Sequence, residues 1–324
     1  MDFQLSEDQQ ALQAGLRAFV EGNYSFERFP ELEKAPLRRE TWAELAEMGI
    51  FSLRQGEAEG GLELGMVEAV VAFQELGRRL VPGPLVWSHL AAGLVEGAAL
   101  GETLVGGLDA SRGSSDPILV EYGDQLDALL VLRRDGVYQV DAAGLGMELV
   151  ATPLDPLTPI AHAPALPRGD KLADAETAQR LRDEGAALTA GLLLGIAELT
   201  LDYANEYAKT REQFDRPIGS FQAIKHMLAD MYVKAQQARH LAYAAAVTLD
   251  DPDTGDAIRT VSSAKVVAGE SAMHNARKCI QIYGGMGYTW ELPPHYYLKR
   301  SFVLENAFGT IAQHAERVAD RLAA

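Results

Sequence analysis

Apolar residues recur at helical spacing towards both ends of the chain and switch to short β-type runs only in between. Ser6 followed by Gln9 has the form of a capping box, and Leu12, Leu16, Phe19 and Val20 line one face behind it, so a helix over 7–21 is predicted. Thr41 caps a second short helix through 48. A third covers 66–80 and stops at Val81-Pro82-Gly83-Pro84, which cannot continue a helix, and a fourth spans 86–101. Between 113 and 170 the runs 118–122, 128–132 and 137–140 are short and β-rich, separated by Gly-Asp and Arg-Asp-Gly turn signals. From 172 onward the pattern is helical again. It predicts a helix over 175–211, then one from a Ser220 cap to 249, then 256–283 stopped by Gly284 and Gly285, then a segment after Pro293-Pro294 to 304, and last 310–322. Long helices joined by short turns imply an antiparallel bundle. The predicted class is α+β, mostly α, in three domains: 1–110 N-terminal and helical, 111–172 a small β-domain, and 173–324 a C-terminal four-helix bundle.

Composition narrows what such a fold can bind. The 324 residues are 48% hydrophobic, ample for a core. A formal charge of −17 argues against nucleic acid or an anionic membrane surface as partner, because both require a basic face. An anionic ligand must therefore be held locally, by backbone amides and a few arginines. Cys279 is the single cysteine and cannot form an internal disulfide, which fits a reducing cytoplasm. The opening MDFQLSEDQQ is acidic and polar, so no secretory signal is expected, and the run 186–201, interrupted by Thr189, Glu198 and Thr200, reads as a buried helix rather than a membrane span. The seven histidines show no ligand spacing, so no metal site is expected, and no Gly-x-Gly-x-x-Gly follows a strand.

Two turns carry candidate chemistry. In TREQFDRP, Arg211 can meet phosphate oxygens bidentately and the Phe214 face can stack a base; Arg211 can equally interact with the exposed carbonyls of a helix C-terminus. In QIYGGMGYTW, Gly284 and Gly285 let a ligand approach the main chain behind Gln281, and paired glycines are also ordinary helix stops. In their order and spacing the two motifs, Arg-x-x-Phe and Gln-x-x-Gly-Gly, resemble those of the acyl-CoA dehydrogenase family. The segment GGLELGMVEAVVAFQELGRRLVPGPL looks like that family's N-terminal helical domain, and ALLVLRRDGVYQVD with ATPLDPLTPIAHAPAL looks like the second half of its middle β-domain, the first half being missing. The resemblance implies FAD as cofactor, with Arg211 on the pyrophosphate, Phe214 on the adenine side, and Gln213, Gln281, Gly284 and Gly285 as further contacts. It also implies that the site is completed across a subunit interface.

The departures from the family pattern are as informative. Members carry a glutamate base in a Glu-Gly-Thr stretch after the last turn, where this chain reads Ala307-Phe308-Gly309-Thr310. Glu305 and, on the first bundle helix, Glu184 are the nearest substitutes, although a glutamate on an amphipathic helix reads as a solvated face residue. Glu291 falls where the family has a structural glutamate. Asp215 replaces the usual glycine after Arg-x-x-Phe, where it either repels phosphate or pairs with Arg216 in solvent. The Thr-Glu-Pro…Gly-Ser-Asp and Trp-(Ile/Val)-(Ser/Thr)-Asn stretches that hold the isoalloxazine ring do not occur, Gly113-Ser114-Ser115-Asp116 being their faintest trace. The resemblance thus implies the small subunit of a heterotetrameric acyl-CoA dehydrogenase, of the kind that degrades bulky acyl-CoA substrates such as steroid side chains. Such a subunit would serve the FAD of a larger, base-bearing partner, with an electron-transfer flavoprotein as acceptor. The alternatives are a self-sufficient homo-oligomeric dehydrogenase with Glu184 or Glu305 as base, and a scaffold without chemistry.

Overall fold

The computed structural model describes residues 4–113 and 117–323, so Ser114, Ser115 and Asp116 of the trace just mentioned lie outside the described residues. Contacts divide the chain into two compact units, one built from 1–27, 70–81 and 186–324 and the other from 28–69 and 82–185. Helices α1 (Glu7–Asn23), α2 (Phe29–Leu32), α3 (Arg39–Glu47), α4 (Met66–Arg78) and α5 (Leu85–Ala91) precede the strands, and α6 (Ala175–Thr210), α7 (Gln222–Asp250), α8 (Ala257–Tyr283), α9 (Pro294–Asn306) and α10 (Ile311–Ala323) follow them. This is the predicted mostly α, α+β architecture.

The Ser6/Gln9 capping box forms at the start of α1, with Gln9 N–H on Ser6 Oγ and Ser6 N–H on Gln9 Oε1. Three other expectations at helix ends are corrected. Ser220 does not cap α7: residues Ile218–Ser220 form a 3-10 turn, which moves the cap position to Phe221, without a side-chain bond. Helix α3 begins at Arg39, so Thr41 sits inside it, donating to the Arg38 carbonyl. The helix expected over 86–101 ends at Ala91, because Gly93 and Gly97 both take the left-handed conformation, at φ +76°, that closes turns instead.

In the strand-bearing unit, β1 (Val105–Asp109), β3 (Ala128–Arg133), β4 (Gly136–Asp141) and β7 (Asp170–Ala173) form one sheet in the order β1-β3-β4-β7, with β1 and β3 parallel. A second sheet pairs β2 (Ile118–Glu121) with β6 (Ile160–Ala163) and that with β5 (Glu148–Leu149). Strand β3 is buried along Ala128–Leu132, as its unbroken apolar run requires of a central strand. Trp42 stacks on Phe51 at 4.5 Å, and Gly83 must be glycine because an added Cβ would lie 2.4 Å from the Trp42 ring.

In the other unit α8 packs against α7, α9 and α10, and α6 belongs to it from residue 186 onward. That stretch is long and apolar enough by composition to cross a membrane, yet it is buried inside the fold, 94% of its most apolar window being covered. Helices α4 and α6 touch backbone to backbone: a Cβ on Gly195 would stand 2.0 Å from the Gln74 carbonyl oxygen, and one on Gly77 2.1 Å from that of Leu192. The polar groups trapped there are bonded to each other. Glu198 accepts from Gln74 Nε2 at 2.7 Å and Arg239 Nε at 2.9 Å, and Tyr243 donates to Gln74 Oε1 at 2.7 Å. Asn275 on α8 donates to the carbonyls of Ala197 on α6 and Met231 on α7, tying three helices through one amide.

Candidate functional site

The last turn of α6 runs straight into the first predicted site turn. Arg211 N–H closes that helix on the Tyr207 carbonyl, and β8 (Glu212–Gln213) then pairs with β9 (Arg216–Pro217) in a two-residue hairpin. Its tip residues, Phe214 and Asp215, sit at φ +54° and +58°, the left-handed pair that a tight hairpin of this hand demands. Aspartate tolerates that conformation. Phenylalanine pays strain for it, and its ring is nonetheless 86% exposed, edge-on to Phe221. Arg211 and Gln213 are exposed beside it. Arg216 lies over the Phe221 ring at 4.1 Å, so the guanidinium proposed as a solvent partner for Asp215 is engaged with an aromatic face.

The second turn ends α8. Gly284 takes φ +64° after Tyr283, and Gln281, Gly284 and Gly285 are all exposed. A Cβ added at Gly284 or Gly285 would meet nothing within 4 Å, whereas at Gly287 it would strike the Ile280 carbonyl. Two of the three glycines therefore leave the main chain open to a ligand, and the third is needed for packing. Gln281 also lines an open cleft of about 470 Å³ between α7 and α8, together with Lys234, His274, Arg277 and Lys278. Glu270 lines it too, so three cations stand against one carboxylate, a local excess of positive charge in a chain of net charge −17. Burial first, and Lys234 and Lys278 next, hold the His274 imidazole below its usual pKa.

The two turns come to the same end of the bundle. Tyr207, one helical turn before Arg211, stacks on Tyr283, the residue before Gly284, with centroids 4.0 Å apart and planes 13° from parallel. Beneath the stack lie Ala204, Ala208, Met231, Cys279 and Ile282, and burial in that cluster pushes the Cys279 thiol well up, which keeps it unreactive. The tyrosine pair was not singled out from sequence. Its signal was there, an aromatic in the last turn of each helix whose C-terminus bears a motif. The assembled donor set, a guanidinium, two carboxamides and open glycine main chain beside an exposed aromatic, fits the ADP end of a flavin.

Neither candidate base is free. Glu184 is not solvated, as its helix position suggested, but 5% exposed, because α6 is covered on all sides at that level. Arg54 donates to both its oxygens, at 2.9 and 3.1 Å, and Arg180 stands 3.5 Å away. Glu305 is half-buried and its Oε1 accepts the Ile311 N–H at 2.8 Å, capping α10. Phe308 is buried at φ +55°, and Glu291 is exposed.

The profile of the acyl-CoA dehydrogenase N-terminal domain matches residues 6–98 and that of the C-terminal domain residues 176–323. The acyl-CoA dehydrogenase IpdE2 of Mycobacterium tuberculosis is 35% identical over 266 residues, 80% of this chain and 79% of that protein. The acyl-CoA dehydrogenase FadE34 of the same organism is 31% identical over 296 residues, and the chain spans only 42% of its length. Among solved structures, a chain of the ChsE4-ChsE5 complex from Mycobacterium tuberculosis superposes with a TM-score of 0.85 at 26% identity, covering 100% of this chain and 99% of that one.

Proposed function

Because the chain belongs to the acyl-CoA dehydrogenase family, we propose that it is the cofactor-gripping subunit of a heteromeric FAD-dependent dehydrogenase, a larger partner contributing the catalytic glutamate. FAD, when bound, supplies the hydride acceptor for α,β-dehydrogenation of an acyl-CoA thioester. This chain's part is binding. Arg211 offers a fork of N–H donors to the diphosphate, Gln213 and Gln281 offer carboxamides, Gly284 and Gly285 offer uncovered main chain, and Phe214 offers a ring face to the adenine. The observation that carries the reading is the Tyr207–Tyr283 stack, which sets both motif turns at one end of the bundle with their binding groups exposed.

The division of labour is supported by what the carboxylates are doing. A general base needs a free oxygen within reach of the substrate α-carbon. Glu184 has both oxygens on Arg54, and Glu305 gives Oε1 to the Ile311 amide, which holds its side chain at the start of α10. The likeness to a chain of the ChsE4-ChsE5 complex favours a two-subunit assembly, and the substrate class proposed with it is a bulky acyl-CoA thioester.

Co-expression with acyl-CoA dehydrogenase homologues from its genomic neighbourhood tests this. The chain purified alone should be colourless, and a co-purified complex should show the visible flavin band and reduce an artificial acceptor with acyl-CoA. Arg211→Ala in this chain should strip flavin from the complex without dissociating it. A flavin-replete homo-oligomer that oxidises acyl-CoA unaided would refute the proposal.

A further inference from the structure

Lys265 on α8 has no solvent exposure, and among the described residues its ammonium hydrogen-bonds no carboxylate. Its Nζ donates instead to three main-chain carbonyls, those of Leu304 at 3.2 Å, Glu305 at 2.9 Å and Gly309 at 2.9 Å. These belong to the end of α9 and the turn into α10. That turn holds two consecutive residues in the left-handed region, Phe308 at φ +55° and Gly309 at φ +105°. A buried aromatic in that conformation persists only where its surroundings over-determine it. The other ties are His314 Nε2 to the Phe308 carbonyl at 2.9 Å, Glu305 Oε1 to Ile311 N–H, and the reciprocal Thr310/Gln313 cap.

The donor count makes the lysine special among these ties. An ammonium carries three N–H groups and matches three part-buried carbonyls; a neutral amine carries two, so one of the three loses its lysine donor. We propose that Lys265 is the positioning residue of the turn from Leu304 to Thr310, a clamp that is complete only while its side chain carries the extra proton.

The setting puts that proton in play. Burial drives Lys265 down to about 7, with the Glu305 charge pulling the other way. The titratable groups at the turn are Glu305 from α9 and His314 from α10, whose Nδ1 meets Ser262 Oγ at 3.2 Å. His314 is therefore the group that a control must remove.

Hydrogen exchange over the turn reads the clamp directly, since the amides of Ala307, Thr310 and Ile311 are bonded within it. Corrected for intrinsic rates, their protection in the wild type should fall about fivefold from about pH 6 to about pH 9, the loss of one ordinary buried hydrogen bond. Lys265→Arg, which keeps its charge throughout, should abolish that fall, and His314→Gln should leave it in place. Protection that stays level in the wild type overturns the proposal, as does a fall that persists in Lys265→Arg or disappears in His314→Gln. If Lys265→Arg does not fold, the carbon-13 signal of the Lys265 ε-carbon in labelled wild type decides: titration in step with exchange supports the clamp, and any other midpoint overturns it.

Discussion

Replacing Glu184 by alanine separates a structural carboxylate from a catalytic one. The side chain is 6% exposed and takes both donors of Arg54, whose own side chain is 23% exposed. Breaking a fully buried pair by deleting one member costs about 3–5 kcal/mol, most of it from the charge left behind. Here Arg54 keeps some access to water and Arg180 is largely solvated, so the expected loss is smaller, about 2 kcal/mol. At about 2–4 °C per kcal/mol for a unit of this size, that is a fall of about 4–8 °C in Tm. Arg54→Ala should cost a similar amount by exposing the opposite orphan. The double change Arg54→Met with Glu184→Leu should recover much of the loss, because no unpaired charge then remains.

The assay is urea or thermal unfolding of the single and double variants at neutral pH, together with acyl-CoA turnover by the complex formed with the partner subunit. A cycle showing strong non-additivity, with turnover of the folded double variant close to wild type, fits a carboxylate that holds structure. If Glu184→Gln leaves stability unchanged and abolishes turnover, the ion-pair argument fails and Glu184 becomes the base.

Two further outcomes follow from the packing and the protonation states. Gly195→Ala puts a Cβ 2.0 Å from the Gln74 carbonyl and 2.7 Å from the Arg78 nitrogen, main-chain atoms that cannot turn aside, so the loss should exceed the ~1–3 kcal/mol of ordinary overpacking. Soluble yield and Tm report it, and a variant as stable as wild type would contradict the close approach of α4 and α6. His89 is buried, bonded through Nδ1 to the Ile50 carbonyl and lowered to about 4, chiefly by burial. The unfolded chain takes up this proton near 6.5 and the folded one only near 4, so stability is full above about 6.5 and falls by about 1.4 kcal/mol per pH unit on the way down. Unfolding measured between pH 7 and 4 should show that limb, and His89→Gln should flatten it.

What the sequence made legible, and what it hid, divides by the range of the interactions involved. Helices α1, α4 and α6 to α10 follow from local periodicity and local stops, because each buries a stripe that its own residues spell out. Strands β1 and β7 do not: Val105–Asp109 contains two glycines and Asp170–Ala173 is polar, and both are held by ladders to β3 and β4. The same distinction governs the site. Arg211, Phe214, Gln281 and Gly284 could be picked out because their motifs are contiguous. The Tyr207–Tyr283 stack that brings the motifs together links residues far apart in sequence.

Glu184 shows the limit most sharply. Helical periodicity assigns a glutamate to solvent by default, yet α6 is buried over residues 183–200, and the guanidinium paired with this carboxylate is Arg54, 130 residues earlier. A carboxylate can be buried there because it is paired, each of its oxygens accepting from the Arg54 guanidinium. The other candidate, Glu305, gives one oxygen to the Ile311 amide at the start of α10, a tie that its position at the end of α9 did not announce either.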